Sequence, residues 1–527
     1  MQLPLWIDAI CVNQEDSNER DAQARRMKSI YERAAGLIIW LGKYNEPTDE
    51  ALRFDLIRWH IDRVEGNSEA MARSALVLAV LLKEEGDLRQ KQKFQSPDIL
   101  MRLEDCVHTE NLQVWVQLSR LFHRPWFERL WIIQELAVSR KAIVRWGNLQ
   151  APWPTLEKAA QFILRPGEVV LSPRIRRLFP LLGAHRITQV ALKSMYNFDP
   201  RNVLTILQNT QNNKCSDPRD RLYAIRGIVD DNQDIEIDYS IPVQQVYRNW
   251  AEKRIKPTWT LQIFSACADS SGRGDLPSWV PDLRRPLGQD KPIWIATQAL
   301  GSMSWGMGVR PDLLCRELRY SEDGLMIYLS GKQAGTIDNM TSVGDAVTDL
   351  PDPTDLKSKL RQILTDWETV LYTPSKQSGD EFISPIGFKE SVLRSFYPWS
   401  IDHNNLSMPY DIWRGDDRSR HSLEEYVNSG DWDMSRHEVT LKEFERDLFP
   451  RVHGCQMFTI ESGRTGIVAG NCGIHVGDEL WLLSGGLTAF VLRRVNEVEH
   501  RLISPCYLFA MMYAVDANRE WQNVVLV

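Results

Sequence analysis

The sequence contains no Cys-x-x-Cys pair. Its eight cysteines, at 11, 106, 215, 267, 315, 455, 472 and 506, are scattered over 527 residues. That spacing fits neither a zinc site nor a disulfide-dense small domain, so the chain reads as intracellular, cytoplasmic and reduced. Long apolar runs are missing too. The most apolar stretch, residues 75–82, falls far short of the ~20 residues that a membrane-spanning helix needs. The N-terminus lacks the basic region and apolar core of a secretory signal. Positive charge is in deficit, with 63 Lys and Arg against 70 Asp and Glu, whereas a nucleic-acid-binding protein carries a basic footprint. The patch of Arg174, Arg176 and Arg177 lacks interleaved aromatics and reads as a solvated helix face. No G-x-x-x-x-G-K-[ST] loop, H-E-x-x-H pair or G-x-S-x-G elbow occurs, which removes the chemistries those motifs carry. The ten histidines are dispersed, so no metal is expected.

What is present is ordinary globular usage, 43% hydrophobic and 25% charged, in a chain too long for one core, since single cores stop growing at roughly 250–300 residues. Tryptophan stands out, with 19 copies. Residues 1–150 alternate strand and helix signals. Leu5-Trp6-Ile7 reads as a buried strand closed by Asp8. A helix is predicted from near Asp16, with Glu19 completing a capping box. Met27, Ile30, Tyr31 and Ala34 share its apolar face. The run Leu37-Ile38-Ile39-Trp40-Leu41, closed by Gly42, reads as a fully buried strand of a parallel sheet. Pro125 suits the first turn of a further helix. Residues 151–290 are predicted to be helical, 291–440 irregular and mixed, and 441–527 a β-rich terminal unit.

Leu5 to Gln14 (L-W-I-D-A-I-C-V-N-Q), Glu19-Arg20, Met27 to Tyr31 and Trp40-Leu41-Gly42 together resemble the fungal heterokaryon incompatibility (HET) domain. Arg124 to Glu135, reading R-P-W-F-x-R-x-W-x-x-Q-E, resembles that family's second block. Asp217-Pro218-Arg219-Asp220-Arg221-Leu222-Tyr223-Ala224 and Leu276-Pro277-Ser278-Trp279-Val280-Pro281-Asp282 look like segments that commonly follow it. The resemblance implies nonself recognition and programmed cell-death signalling in fungi. HET domains are in turn similar to TIR domains. That similarity implies an α/β, TIR/flavodoxin-like parallel sheet over 1–150, followed by the helical region and the β-rich C-terminal unit. The family usually opens with a strand carrying an S-Y-x-W-G-like motif, which has no counterpart here, so the domain is expected to be N-terminally incomplete. In a doubly wound sheet that strand is internal and its loop lies where ligands bind.

Some TIR domains cleave NAD with a glutamate placed as W-x-x-x-E, the spacing of Trp131 and Glu135. By that analogy Glu135 and Asp8 are the candidate catalytic residues, and Trp131, Asn13, Gln14 and Arg129 the candidate binding residues. NAD is then a substrate rather than a resident cofactor. The residues themselves leave other roles open. Glu135 could pair with a neighbouring Arg or Lys, Asp8 could cap a loop, and Asn13 could be a turn residue. Arg124 and Arg129 could be ion-pair partners, and Cys11 a buried structural thiol. The alternatives to an enzyme are a non-catalytic module that oligomerises with itself or with an incompatibility partner, and an inactive truncated remnant.

Overall fold

The computed structural model describes residues 4–13, 15–43, 69–91, 112–163, 186–187, 203–229, 235–267, 274–284, 315–341, 455–462, 465–469, 472–486, 488–508 and 520–527. The chain divides into two compact units, Met1–Val243 and Gln244–Val527.

In the first unit, Asp16 starts the Ser17–Arg33 helix by accepting the amide N–H groups of Asn18 and Glu19, which would otherwise lack partners at a helix start. Glu19 accepts the Asn13 N–H at 3.3 Å rather than that of the cap residue, so the capping box is stretched over the preceding turn. Strand β1 (Leu37–Trp40) pairs in parallel with β2 (Ala142–Trp146). The crossover between them contains the Glu69–Lys91, Leu112–Phe122 and Ile132–Val138 helices, as a parallel connection requires. β2 turns through Gly147, at φ 58°, into antiparallel β3 (Leu149–Pro152). Along the Glu69–Lys91 helix, Ala72, Ala75, Ala79 and Leu82 are buried at helical spacing, and the helix packs against Leu112–Phe122 and Trp153–Ile163.

Two expectations need correction here. Leu5-Trp6-Ile7 is not a strand. The Ile10 and Cys11 amides donate to the Ile7 carbonyl, which draws the chain into a helical turn, Asp8–Cys11, and Leu5 stays 67% exposed. Asp8 therefore opens a helical turn instead of closing a strand. Nor is β1 buried on both faces. Leu37 and Ile39 are buried, but Ile38 and Trp40 are 51% and 53% exposed, because only one face of this strand meets a packed layer. The described sheet holds one parallel and one antiparallel pairing, which makes the unit mixed α/β.

The second unit is built on β4 (Leu318–Tyr320), β5 (Ile327–Met340), β6 (Cys455–Ile460), β7 (Thr465–Ala469), β8 (Glu479–Leu483), β9 (Ala489–Arg494), β10 (Glu499–Leu508) and β11 (Gln522–Leu526). Its pairings run β5–β8–β9–β10–β11 and return to β5, which closes the edges that an open sheet would expose. β6 and β7 bridge the far ends of β5 and β10. Both long strands serve two sets of partners by shifting register, at Gln333/Gly335 and Ile337/Asn339 in β5 and at Leu502/Ser504 in β10. The core gathers Ile337, Phe458, Leu480, Val491, Ile503 and Cys506.

β4 and β5 come from residues 318–340, within the region expected to be irregular. Glycine masks the strand pattern there. Gly335 sits where a Cβ would lie 2.9 Å from Ile460 Cδ1, so close packing rather than a side chain defines the position. Gly466 in β7 is tighter still, since a Cβ would fall 2.2 Å from Phe458 Cζ. Gly466→Ala is expected to destabilise this unit by about 1–3 kcal/mol through overpacking, measured as a lower denaturant midpoint with an unchanged slope. No described helix is long and apolar enough to cross a membrane.

Candidate functional site

Two helices create the site. Tyr31 lies near the end of Ser17–Arg33, on the face that buries Met27. Glu135 lies on Ile132–Val138, whose residues 132–137 are all buried. A 3-10 turn, Pro125–Glu128, with proline at its first position, leads into that helix. Glu135 is 5% exposed, and its carboxyl and the Tyr31 phenol influence each other's ionisation. Arg129 Nη2 lies 3.1 Å from Asp8 Oδ2, at the more exposed side of the group. The Trp6 ring meets Tyr31 edge-on, with centroids 5.6 Å apart.

Burial pushes the Glu135 carboxyl up to about 7, because a low-dielectric setting disfavours the charged form. Arg129 pulls it down, Asp8 pushes it up, and the Tyr31 phenol again favours the ionised form. Burial also raises the Tyr31 phenol, and Glu135 and Asp8 add to that rise. Tyr31 is thus a committed donor. The arrangement provides an acid that changes charge near neutrality, coupled to a phenol and flanked by a half-exposed guanidinium. Such a group can hold a proton or stabilise a developing positive charge.

Of the residues singled out in the sequence, Asp8, Arg129 and Glu135 come together. Tyr31 joins them, although the sequence pattern marks it only as part of an apolar helix face. Trp131 is partly exposed. Asn13 closes a turn, its side chain accepting the Glu15 N–H at 3.1 Å. Gln14 lies outside the described residues, as do Arg174, Arg176 and Arg177. Cys11 is exposed rather than buried, because the Asp8–Cys11 turn packs no face against the core. Arg124 is buried, with its guanidinium 5.5 Å from the Trp146 ring. Among the described residues no group of His, Cys, Asp and Glu could hold a metal.

The D-P-R-D-R-L-Y segment forms an ionic latch. Arg219 grips Asp217 with two hydrogen bonds, at 2.9 and 2.7 Å. It also donates to the Tyr239 and Ile241 carbonyls at 2.7 and 2.8 Å. Burial alone would raise the Asp217 carboxyl, but these bonds from Arg219 outweigh it and hold the group below its ordinary value.

Residues 2–135 match the family described as Heterokaryon incompatibility protein (HET). The chain is 25% identical over 318 residues to Heterokaryon incompatibility protein 6, OR allele, of Neurospora crassa. That alignment covers 53% of this chain and 45% of the relative, so the chain spans about half the relative's length. No solved structure matches. Asp8, Tyr31, Arg129 and Glu135 all lie inside the matched segment, whereas Asp217 to Tyr239 lie beyond it.

Proposed function

We propose, on the premise that residues 2–135 are a HET domain, that the protein acts in fungal nonself recognition and signals cell death by cleaving NAD. The domain takes the TIR-like role implied by its W-x-x-x-E spacing. The observation that carries this reading is the buried Glu135 carboxyl, which the charge of Arg129 and the Tyr31 phenol both bias toward ionisation. In the reaction the bond between nicotinamide nitrogen and ribose C1′ breaks, and its electron pair returns to the pyridinium ring. The ribose acquires oxocarbenium character, which the ionised Glu135 stabilises. Water then adds to C1′ and releases a proton, leaving ADP-ribose and neutral nicotinamide. Arg129 is placed to meet an anionic group of the substrate once Asp8 yields it.

The test is nicotinamide release from NAD by the purified chain, alongside Glu135→Ala. Release that falls by 10²-fold or more in the variant, a size typical of losing one charge-stabilising group, supports the proposal. Release that is equal in both overturns the assignment of Glu135. No release from folded protein overturns the enzymatic reading and favours a self-associating module, for which the exposed Ile38 and Trp40 of β1 offer an apolar face. Sedimentation of the same sample distinguishes that outcome.

A further inference from the structure

In the second unit, both ring nitrogens of His500 face oxygen acceptors. His500 lies in β10 and is buried. Its Nδ1 is 3.1 Å from the Val498 carbonyl oxygen, and its Nε2 is 3.2 Å from Glu479 Oε2. Glu479, buried in β8, takes further donors: Arg494 Nε and Nη2 at 2.8 and 2.7 Å on Oε1, and Trp481 Nε1 at 2.9 Å on Oε2. The Trp481 ring meets the imidazole edge-on at 5.4 Å. Glu479, Arg494 and His500 thus form a row across β8, β9 and β10, in which Arg494 and His500 are a register pair. The same histidine sits at the seam that closes the ring of strands. Two parallel register pairs join β10 to β11, Glu499 with Val525 and His500 with Leu526. The Val498 carbonyl that meets Nδ1 also accepts the Val525 N–H at 3.2 Å, and the His500 carbonyl accepts the Val527 N–H at 3.0 Å.

A neutral imidazole carries one N–H and can serve only one of two acceptors. Its other nitrogen then turns a lone pair on an oxygen, in a buried place where solvent does not replace the lost bond. The doubly protonated ring serves both. We propose that His500 is a proton-operated clasp on the ring of strands: with both nitrogens protonated it ties Glu479 to the Val498 carbonyl and holds the β10–β11 seam, and on losing one proton it loosens that seam. The remaining proton stays at Nε2, because a hydrogen bond to a carboxylate is stronger than one to a neutral carbonyl. The Nδ1 lone pair then faces the Val498 oxygen and pushes it off the Val525 N–H. The charged groups around the ring are Glu479 on β8 and Arg494 on β9, with Glu499 and Arg501 on either side in β10. Arg493, also on β9, is held by Asp478 at 2.8 Å, and Glu499 accepts Asn496 Nδ2 at 2.6 Å. β7, β11 and the Gln262–Ala266 turn, which also pack on β10, carry no titratable group. The clasp does not depend on the reading of Glu135.

The experiment uses the full chain, ¹⁵N-labelled at histidine, from about pH 5.5 to about pH 8.5, where histidine ordinarily changes charge. His500→Gln identifies the ring resonances. Both ring nitrogens of His500 are expected to carry protons at the acid end, and Nε2 alone at the alkaline end. Hydrogen exchange, corrected for its intrinsic pH dependence, should show the Val525 and Val527 amides losing protection about fivefold over the same range, the scale of one net hydrogen bond. Amides of β6 and β7 should keep theirs. Glu479→Gln can offer Nε2 an N–H donor, so the neutral ring keeps its proton toward Val498. In that variant β11 protection is expected to become independent of pH although His500 still changes charge. His500→Gln cannot take up a proton and should remove the dependence as well. If neither variant folds, agreement between the ring and β11 midpoints in the parent chain decides. A ring that keeps one protonation state throughout, or β11 protection that does not change with pH, overturns the proposal. A loss shared equally by β6 and β7, or one that persists in His500→Gln, overturns it too.

Discussion

Glu135→Gln is expected to make the protein more stable at pH 8 while removing its turnover. The folded chain holds the Glu135 proton up to about 7, against an ordinary value of 4.5, so the native state binds that proton more tightly than the unfolded chain does. Stability linked to this group is therefore complete below about 4.5, declines as pH rises, and is lost above about 7. A gap of about 2.5 pH units corresponds to roughly 3 kcal/mol at most. Glutamine keeps the volume but never acquires the charge. The variant should match the parent within about 1 kcal/mol at pH 5 and exceed it by about 1–3 kcal/mol at pH 8, read from denaturant midpoints. Turnover of the parent should rise with pH through about 7, as the carboxylate forms, and fall by roughly 10²–10³ in the variant. A loss of stability at both pH values would show instead that the carboxyl is a structural acceptor. Opposite signs in stability and turnover are what a destabilising functional group produces.

Glu135 and Arg129 were legible in the sequence only as candidates, and Asp8 was singled out as the end of a strand where the structure has the start of a helical turn. An acid four residues beyond a tryptophan, with an arginine nearby, narrows the roles a helix can play. Tyr31 was not, because a phenol on a helix is consistent with simple packing and its apolar neighbours Met27 and Ile30 reinforce that reading. Only the partner helix reveals that it is electrostatically coupled to a buried carboxyl. The same limit explains Leu5-Trp6-Ile7 and β1. Apolar runs report a tendency to be buried, but whether a strand pairs, and on how many faces it is covered, depends on elements distant in sequence. In the second unit the difficulty is reversed. β5 contains Gly331 and Gly335, which weaken the alternation that marks a strand, yet the neighbouring strands need those missing side chains. Charged partners distant in sequence are equally hidden: Asp217 and Asp220 meet Arg20 and Tyr239 only in the folded chain.

Trp279→Ala is expected to cost the second unit about 3–5 kcal/mol, the range for removing a fully enclosed aromatic. Trp279 has no exposed surface. Its indole N–H donates to the Leu325 carbonyl at 3.0 Å, in the turn between β4 and β5, and its ring meets Tyr320 of β4 at 5.6 Å. The residue before it reaches the next strands of the ring. Ser278 accepts the Leu502 N–H of β10 at 2.9 Å and donates its own amide to the Val527 carbonyl at 2.9 Å, just past β11. The Ser278-Trp279 pair thus fastens β4–β5 to β10–β11, where the closure of the strands depends on only two parallel register pairs between β10 and β11. Alanine at 279 empties a large volume and leaves the Leu325 carbonyl without its donor. Trp279→Phe loses the hydrogen bond and part of the volume, for which about 1–2 kcal/mol is expected. Hydrogen exchange should localise the damage, with amides of β10 and β11 losing protection in Trp279→Ala before those of β6 and β7. Equal loss across all strands, or a cost below about 1 kcal/mol, would mean that the ring closes without this fastening and that the tryptophan is only a cover.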